Sequence, residues 1–254
     1  MAAETTPPQK KPSAIVVGVG VELGLGAAVV RRFARENFHV FVAGRTREKL
    51  DRVVAGVAAG GGSAEAVATD ATNEGDVRNL FTKAFDADAA HEAPSVVVFN
   101  AGANARIPFA EITPAQFEAY WRIGCFGGFL VGQEAARRLL PLGRGTIIFT
   151  GATGSLRGSA NFAHFAVAKA GLRMISQSMS REYGPAGLHV AHVVIDGGIN
   201  GEWLRGLMPD FVNARGDDGL LDIDAIAETY WRIHQQPRSA WTQEMDLRPY
   251  KERF

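Results

Sequence analysis

The sequence predicts one α/β domain, a doubly wound parallel β-sheet with helices on both faces. Three observations carry that prediction. Short apolar runs rich in β-branched residues recur along the chain, and they are continuous rather than alternating, as strands buried on both faces require. Longer segments with apolar residues at helical spacing separate them. Four glycines at 18, 20, 24 and 26 follow the first run, at the kind of strand-to-helix turn where such sheets bind ligands. With 254 residues, 46% of them hydrophobic, the chain can bury a sizeable core, and no linker or low-complexity segment divides it.

The elements follow in order. "SAIVVGV" (13–19) is the first strand and "GLGAAVVRRFAREN" (24–37) the helix after it. "FHVFVAG" (38–44) and "REKLDRVVAGVAA" (47–59) form the next pair, then "SAEAVATD" (63–70) and "EGDVRNLFTKAFDADA" (74–89). "PSVVVFNAG" (94–102), "GTIIFTG" (145–151) and "LHVAHVVIDGG" (188–198) are the remaining strands. "SANFAHFAVAKAG" (159–171) reads as helix, with Phe165 and Lys169 one turn apart on one face. Residues 199–222 break the rhythm and read as a long excursion over the carboxyl edge of the sheet. The opening twelve residues, rich in Pro, Thr and Lys, read as a mobile tail without the apolar region of a secretory signal. The predicted domain therefore runs from 13 to 254.

Composition narrows the function classes. Basic and acidic residues balance at 27 each, so bulk electrostatics gives no attraction to nucleic acid or an anionic membrane. No apolar run is long enough to span a membrane. The single cysteine, Cys125, excludes an internal disulfide and any site needing two thiolates. The six histidines are scattered and no metal-ligand spacing stands out. A soluble cytoplasmic protein is the expectation.

The glycines are a shifted phosphate cradle. The common G-x-G-x-x-G pattern fails by one residue because position 23 is leucine. Gly20, Gly24 and Gly26 still allow a tight turn and a close backbone approach to a pyrophosphate at a helix N-terminus. At the end of the second strand an NAD site usually carries an acid for the ribose 2′-hydroxyl. Here Gly44 takes that place and Arg45 follows. A guanidinium forks onto a 2′-phosphate, which favours NADP(H) over NAD(H); otherwise Arg45 is a solvated residue opening a helix.

With these pieces in place, the chain resembles the short-chain dehydrogenase/reductase family over nearly its whole length. The resemblance rests on "VGVELGLG" (19–26), Asp70, "FNAG" (99–102), Lys169 in a YxxxK frame, and "IDGGI" (195–199). It implies that Gly20, Gly24, Leu25, Gly26, Arg45, Asp70, Asn100, Gly102, Lys169 and Ile199 surround the cofactor. It also implies a tetrad of Asn, Ser, Tyr and Lys, whose first three positions fall here on Gly124, Ala152 and Phe165. Phenylalanine gives no proton and alanine holds no oxyanion. Lys169 is then a cofactor ligand beside a lost acid, unless it merely extends its ammonium to water.

Substitute proton donors are few. His164 neighbours Phe165, and Asp196 replaces the proline of the segment beside the nicotinamide. Thr153 points away from Ala152 if strand alternation continues, Asn104 and Arg106 lie in a loop expected to line the substrate pocket, and Cys125 reads as a buried small residue. Two readings stand: an NADP(H)-dependent oxidoreductase with a non-standard site acting on a small molecule, or a catalytically inactive NADP(H)-binding regulatory or scaffold protein. The apolar, small-faced segment 126–140 also predicts a homo-oligomer, tetramer or dimer.

Overall fold

Residues 10–86 and 90–252 are described by the computed structural model. Strand and helix alternate as β1 (Lys11–Val17), α1 (Leu25–Arg35), β2 (His39–Gly44), α2 (Arg47–Ala59), β3 (Ser63–Ala68), α3 (Glu74–Ala84) and β4 (His91–Phe99). Helices α4 (Pro114–Trp121) and α5 (Gly127–Leu139) follow, joined by a π-helical turn over Arg122–Phe126. Then come β5 (Gly145–Thr150), α6 (Ala163–Tyr183), β6 (Leu188–Ile195), α7 (Glu202–Leu207), α8 (Pro209–Arg215), α9 (Ile223–His234) and β7 (Glu244–Leu247). The strands form one parallel seven-stranded sheet in the order 3-2-1-4-5-6-7.

Period-two side-chain alternation divides the core between the two faces of the sheet. Ala14 and Val16 of β1 pack with Val29, Phe33, Ile226 and Tyr230 on the α1/α9 face. Ile15 and Val17 pack with Phe81, Leu130, Leu139 and Leu172 on the α3/α5/α6 face. All six strands expected from the sequence are present, and helix 47–59 has the expected bounds.

The differences lie at element ends. Lys11 and Pro12, expected in the tail, belong to β1, with Lys11 registered opposite His91; residues 1–9 lie outside the described residues. β4 starts three residues earlier than expected and ends at Phe99, so Asn100 and Gly102 stand in the loop beyond it. β6 ends at Ile195, and α6 starts at Ala163 rather than 159. Small and apolar residues continue past these ends, so the sequence pattern has no break there. β7 is not expected from the sequence: "EMDL" is an alternating edge strand, lacking the continuous apolar run of the others.

The excursion over 199–222 carries α7 and α8 and returns through a bridge between Ile199 and Leu221. It touches the glycine loop, where the Glu202 amide donates to the Leu23 carbonyl at 2.9 Å. The end of the chain holds it from the other side. Lys251 donates to the Asp217 carbonyl at 3.1 Å, and Arg215 pairs with Glu252 at 3.3 Å.

Candidate functional site

The glycine loop sits at the carboxyl end of β1, between the end of β2 and the loop after β4. Gly18 adopts φ +91°, and a Cβ there would lie 2.3 Å from the Ala101 nitrogen. Glycine is therefore required by both conformation and space. Gly26 packs against Gly18 and Val19, whereas a Cβ on Gly20 would meet nothing within 4 Å. Gly24 caps α1 without a side-chain hydrogen bond, and the first turn of α1, with Leu25 and Gly26, carries no acid. The first amides of that helix thus keep donors that no side chain among the described residues takes up. Open space above Gly20 and uncapped amides beside it fit a phosphate-bearing ligand.

The neighbouring residues complete a contiguous surface. Asn100 Nδ2 donates to the Gly18 carbonyl at 3.2 Å. Asp70 is half-buried and receives the Thr72 amide and hydroxyl on one oxygen, both at 2.9 Å, leaving the other for a ligand. Gly44 is buried, and a Cβ there would lie 2.3 Å from the Val19 carbonyl oxygen. Close approach of two backbones therefore excludes an acidic side chain at this position. Arg45, next to it, is exposed. Ile199 stands half-buried at the start of the excursion.

Lys169 does not reach out to water. It is 5% exposed, and its Nζ donates to the Thr150 carbonyl at 2.8 Å. A Cβ on Gly102 would lie 3.4 Å from that Nζ, so the ammonium faces the loop after β4. Burial lowers its pKa to about 8. In the unfolded chain the value is near 10.5, so folding carries a penalty for the charge that is complete below about pH 8 and vanishes as pH rises through about 10.5. Lys169→Met should therefore raise the melting temperature at pH 7, and the advantage should shrink by pH 10. Melting both proteins across that range checks it; an advantage that does not change with pH contradicts it.

Phe165 is half-buried, its ring against Gly154, where a Cβ would lie 3.1 Å from Cδ1. Ala152 is half-buried just beyond β5. Gly124 is buried in the π-helical turn, where a Cβ would lie 3.0 Å from the Ala168 Cβ. Cys125 is buried too, with its sulfur 2.6 Å from where a Cβ on Gly171 would stand. It fills the α6 contact, as its small size suggests.

The two proposed proton donors are both buried. His164 is fully buried, with its ring centroid 4.3 Å from that of Tyr120. Burial lowers its pKa, and neither ring nitrogen has a hydrogen-bond partner among the described residues. Asp196 is also buried. It accepts from Thr153 Oγ1 at 2.5 Å and lies 3.5 Å from both Arg157 and Arg248. Strand alternation does not reach Thr153, because residues 153–155 form a 3₁₀ turn. Asn104 and Arg106 are exposed in the loop before α4.

Sequence reasoning missed a second polar group here. Ser155 Oγ lies 3.3 Å from His192 Nε2, and His192 Nδ1 lies 3.0 Å from Glu244 Oε2. Arg173 clamps Glu244 with two contacts, at 2.7 and 2.6 Å. The available signal was a histidine at 192 inside an otherwise apolar strand, a position that needs a buried partner. Among the described residues, no cluster of three or more His, Cys, Asp or Glu is placed to hold a metal. No helix among them is long and apolar enough to cross a membrane.

The chain matches the short chain dehydrogenase family over residues 14–205. It is similar to the 3-oxoacyl-[acyl-carrier-protein] reductase MabA of Mycobacterium avium, 32% identical over 193 residues, covering 76% of this chain and 69% of that protein. An uncharacterized oxidoreductase of Bacillus subtilis, YuxG, is 30% identical over 200 residues, 78% of this chain, and the chain spans only 28% of its length. Among solved structures, a short-chain dehydrogenase from Rhodopseudomonas palustris is 40% identical with a TM-score of 0.79, covering 95% of this chain and 100% of that one.

Proposed function

Because the chain belongs to the short-chain dehydrogenase family, we propose that it is an NADP(H)-dependent oxidoreductase whose site lacks the usual tyrosine and serine. The single observation that carries the reading is the glycine loop at the carboxyl end of β1, with open space over Gly20 and an uncapped start of α1 beside it. Asn100 reaches that loop through the Gly18 carbonyl, Asp70 stands beyond β3, and the buried Lys169 faces Gly102 beyond β4. When bound there, the cofactor supplies or accepts a hydride. Gly20, Gly24, Leu25 and Gly26 would hold its phosphates, Asp70 its adenine, and Asn100, Gly102, Lys169 and Ile199 its nicotinamide half. Arg45 would face the 2′-phosphate.

NADPH should bind more tightly than NADH, and Arg45→Ala should erase the difference. Titration of both cofactors by nicotinamide fluorescence decides it: equal affinities in the natural protein, or a ratio unchanged by the substitution, sink the assignment.

Phe165 and Ala152 favour a second reading, an inactive NADP(H)-binding protein. The two part on whether any substrate is turned over. MabA's name suggests a first panel of 3-oxoacyl thioesters, simple ketones and the matching alcohols.

A homo-oligomer is part of the same reading. A groove between α5 and α6 is lined by Phe129, Met174, Ile175, Met179 and Tyr183 together with Gln133, Ser178 and Glu182, with Phe129 and Met174 exposed. Burying that face against a second copy is the simplest way to cover it. Sedimentation at micromolar concentration should show a dimer or tetramer, and a monomer contradicts it.

A further inference from the structure

We propose that residues 248–252 form a strap that holds the excursion over 199–222 down on the glycine loop, and that this strap sets how fast the bound dinucleotide leaves. The proposal rests on the NADP(H) reading above and adds to it a control of cofactor release.

The excursion has little hold of its own. None of the residues of α7 or α8 is buried, and Trp203, Leu207 and Met208 stand about half exposed. Leu204 and Phe211 reach back over Gly198, where a Cβ would lie 3.2 and 3.4 Å from them. At the root, the Leu221 amide donates to the Gly198 carbonyl and the Asn200 amide to the Leu221 carbonyl, both at 2.8 Å. A segment that buries so little apolar surface opens at low cost, so contacts beyond the root decide where it sits.

The strap supplies those contacts. It starts at Asp196, whose amide donates to the Leu247 carbonyl at 2.8 Å and whose buried carboxylate lies 3.5 Å from Arg248. Pro249 then packs on Gly197, where a Cβ would lie 2.8 Å from the proline Cδ and φ is +150°, a conformation that favours glycine. Lys251 donates to the Asp217 carbonyl at 3.1 Å and to the Arg215 carbonyl at 3.4 Å. Glu252 pairs with Arg215 at 3.3 Å. Arg215 ends α8, and its guanidinium also lies over the Phe211 ring, 4.8 Å from the centroid, so this one pair ties α8 to the strap. On the opposite side the excursion stands on the glycine loop. The Glu202 amide donates to the Leu23 carbonyl at 2.9 Å, and a Cβ on Gly201 would lie 2.9 Å from the same oxygen.

The excursion is thus clamped between strap and loop. Leu23 precedes Gly24, the cap of α1, so the excursion seats on the same backbone that would hold the cofactor's phosphates. A dinucleotide leaves faster while the excursion is lifted, and the strap pairs set how often it lifts. The Arg215 and Glu252 side chains are 31% and 20% exposed, so water screens their pair only in part. Reversing one of its charges replaces attraction by repulsion, which should raise the lifted population about 2–10-fold.

Two measurements on the full chain test the strap: hydrogen exchange of the amides of residues 204–212 without cofactor, and stopped-flow dissociation of NADPH. Arg215→Glu and Glu252→Arg should each speed both about 2–10-fold, and Lys251→Ala should act in the same direction. The two reversals together restore the pair with its charges exchanged. They should bring both rates back close to the natural ones, which a general loss of stability would not do. Unchanged hydrogen exchange in the single reversals overturns the strap, and a double variant that restores neither rate overturns the pairing behind it. Faster exchange with unchanged NADPH dissociation overturns the control of cofactor release while leaving the cofactor assignment standing. If the natural protein binds neither NADPH nor NADP⁺, the reading beneath fails, and the cofactor half of the proposal with it. Hydrogen exchange still decides whether the strap holds the excursion.

Discussion

Gly44→Asp, the substitution that would give this chain the usual NAD-type acid, is expected to weaken both NADPH and NADH rather than exchange them. The new Cβ would stand 2.3 Å from the Val19 carbonyl oxygen and 3.1 Å from Leu50 Cδ2. Leu50 can adjust, but Val19 is backbone of the phosphate loop itself. The amides of Gly18 and Val19 both donate to the Ala43 carbonyl, at 2.9 and 3.0 Å, so a displaced Val19 takes the glycine loop with it. Overpacking of this kind costs about 1–3 kcal/mol, or about 5–150-fold in a binding constant if the loss falls on the loop. A lower melting temperature should accompany the loss. Arg45→Glu, at an exposed position, should instead reverse the cofactor preference with little change in melting. Fluorescence titration and thermal melts on both variants check this pair; tighter NADH binding by Gly44→Asp at unchanged melting temperature would refute the packing argument.

A gain of about 10²–10⁴-fold in NADPH-driven ketone reduction is expected from Phe165→Tyr combined with Ala152→Ser. On the proposed reading the natural protein has little to give a ketone at neutral pH: Phe165 carries no proton, and burial pushes the His192 pKa down to about 4. A tyrosine hydroxyl one helical turn from Lys169 would bring a donor beside that lysine, and the serine would hold the developing oxyanion. Phe165→Tyr alone should recover much less, because such residues act as a unit. Completing the set with Gly124→Asn should not help. Its Cβ would stand 3.0 Å from the Ala168 Cβ inside the π-helical turn, and a lower melting temperature is the expected result. Steady-state ketone reduction on the three combinations tests this. Brisk reduction by the natural protein would show that the proton comes from another group.

The fold was legible because its strands are buried on both faces, which forces continuous apolar runs such as those of β1 and β5. β7 was not legible, since an edge strand with Glu244 and Asp246 needs no such run. For the site, the glycine loop showed itself because Gly18, with its positive φ and 2.3 Å backbone approach, admits only glycine, and Gly26 is tightly packed. Lys169 stood out as a lone cation among apolar neighbours, and the sequence alone left open whether it reached water; the structure buries it on the Thr150 carbonyl. Asp196 looked like a free acid beside a turn. Its partners Thr153, Arg157 and Arg248 are distant in sequence, and no spacing rule joins them. Ser155, His192 and Glu244 stayed hidden for the same reason: they come from three elements brought together only by the order of β5, β6 and β7.

The π-helical turn between α4 and α5 adds one residue to an otherwise continuous helical rod. One residue is about 100° of rotation and about 1.5 Å of rise, so the turn works as a fixed angular offset between two segments that would otherwise share one face. It sets which side of α4 looks toward α6, and so brings Tyr120 onto His164. Deleting a single residue from 122–126 would leave α5 seated on the sheet and swing α4 about a quarter-turn around its own axis. Tyr120 would be carried off His164, although no residue of that contact had been changed.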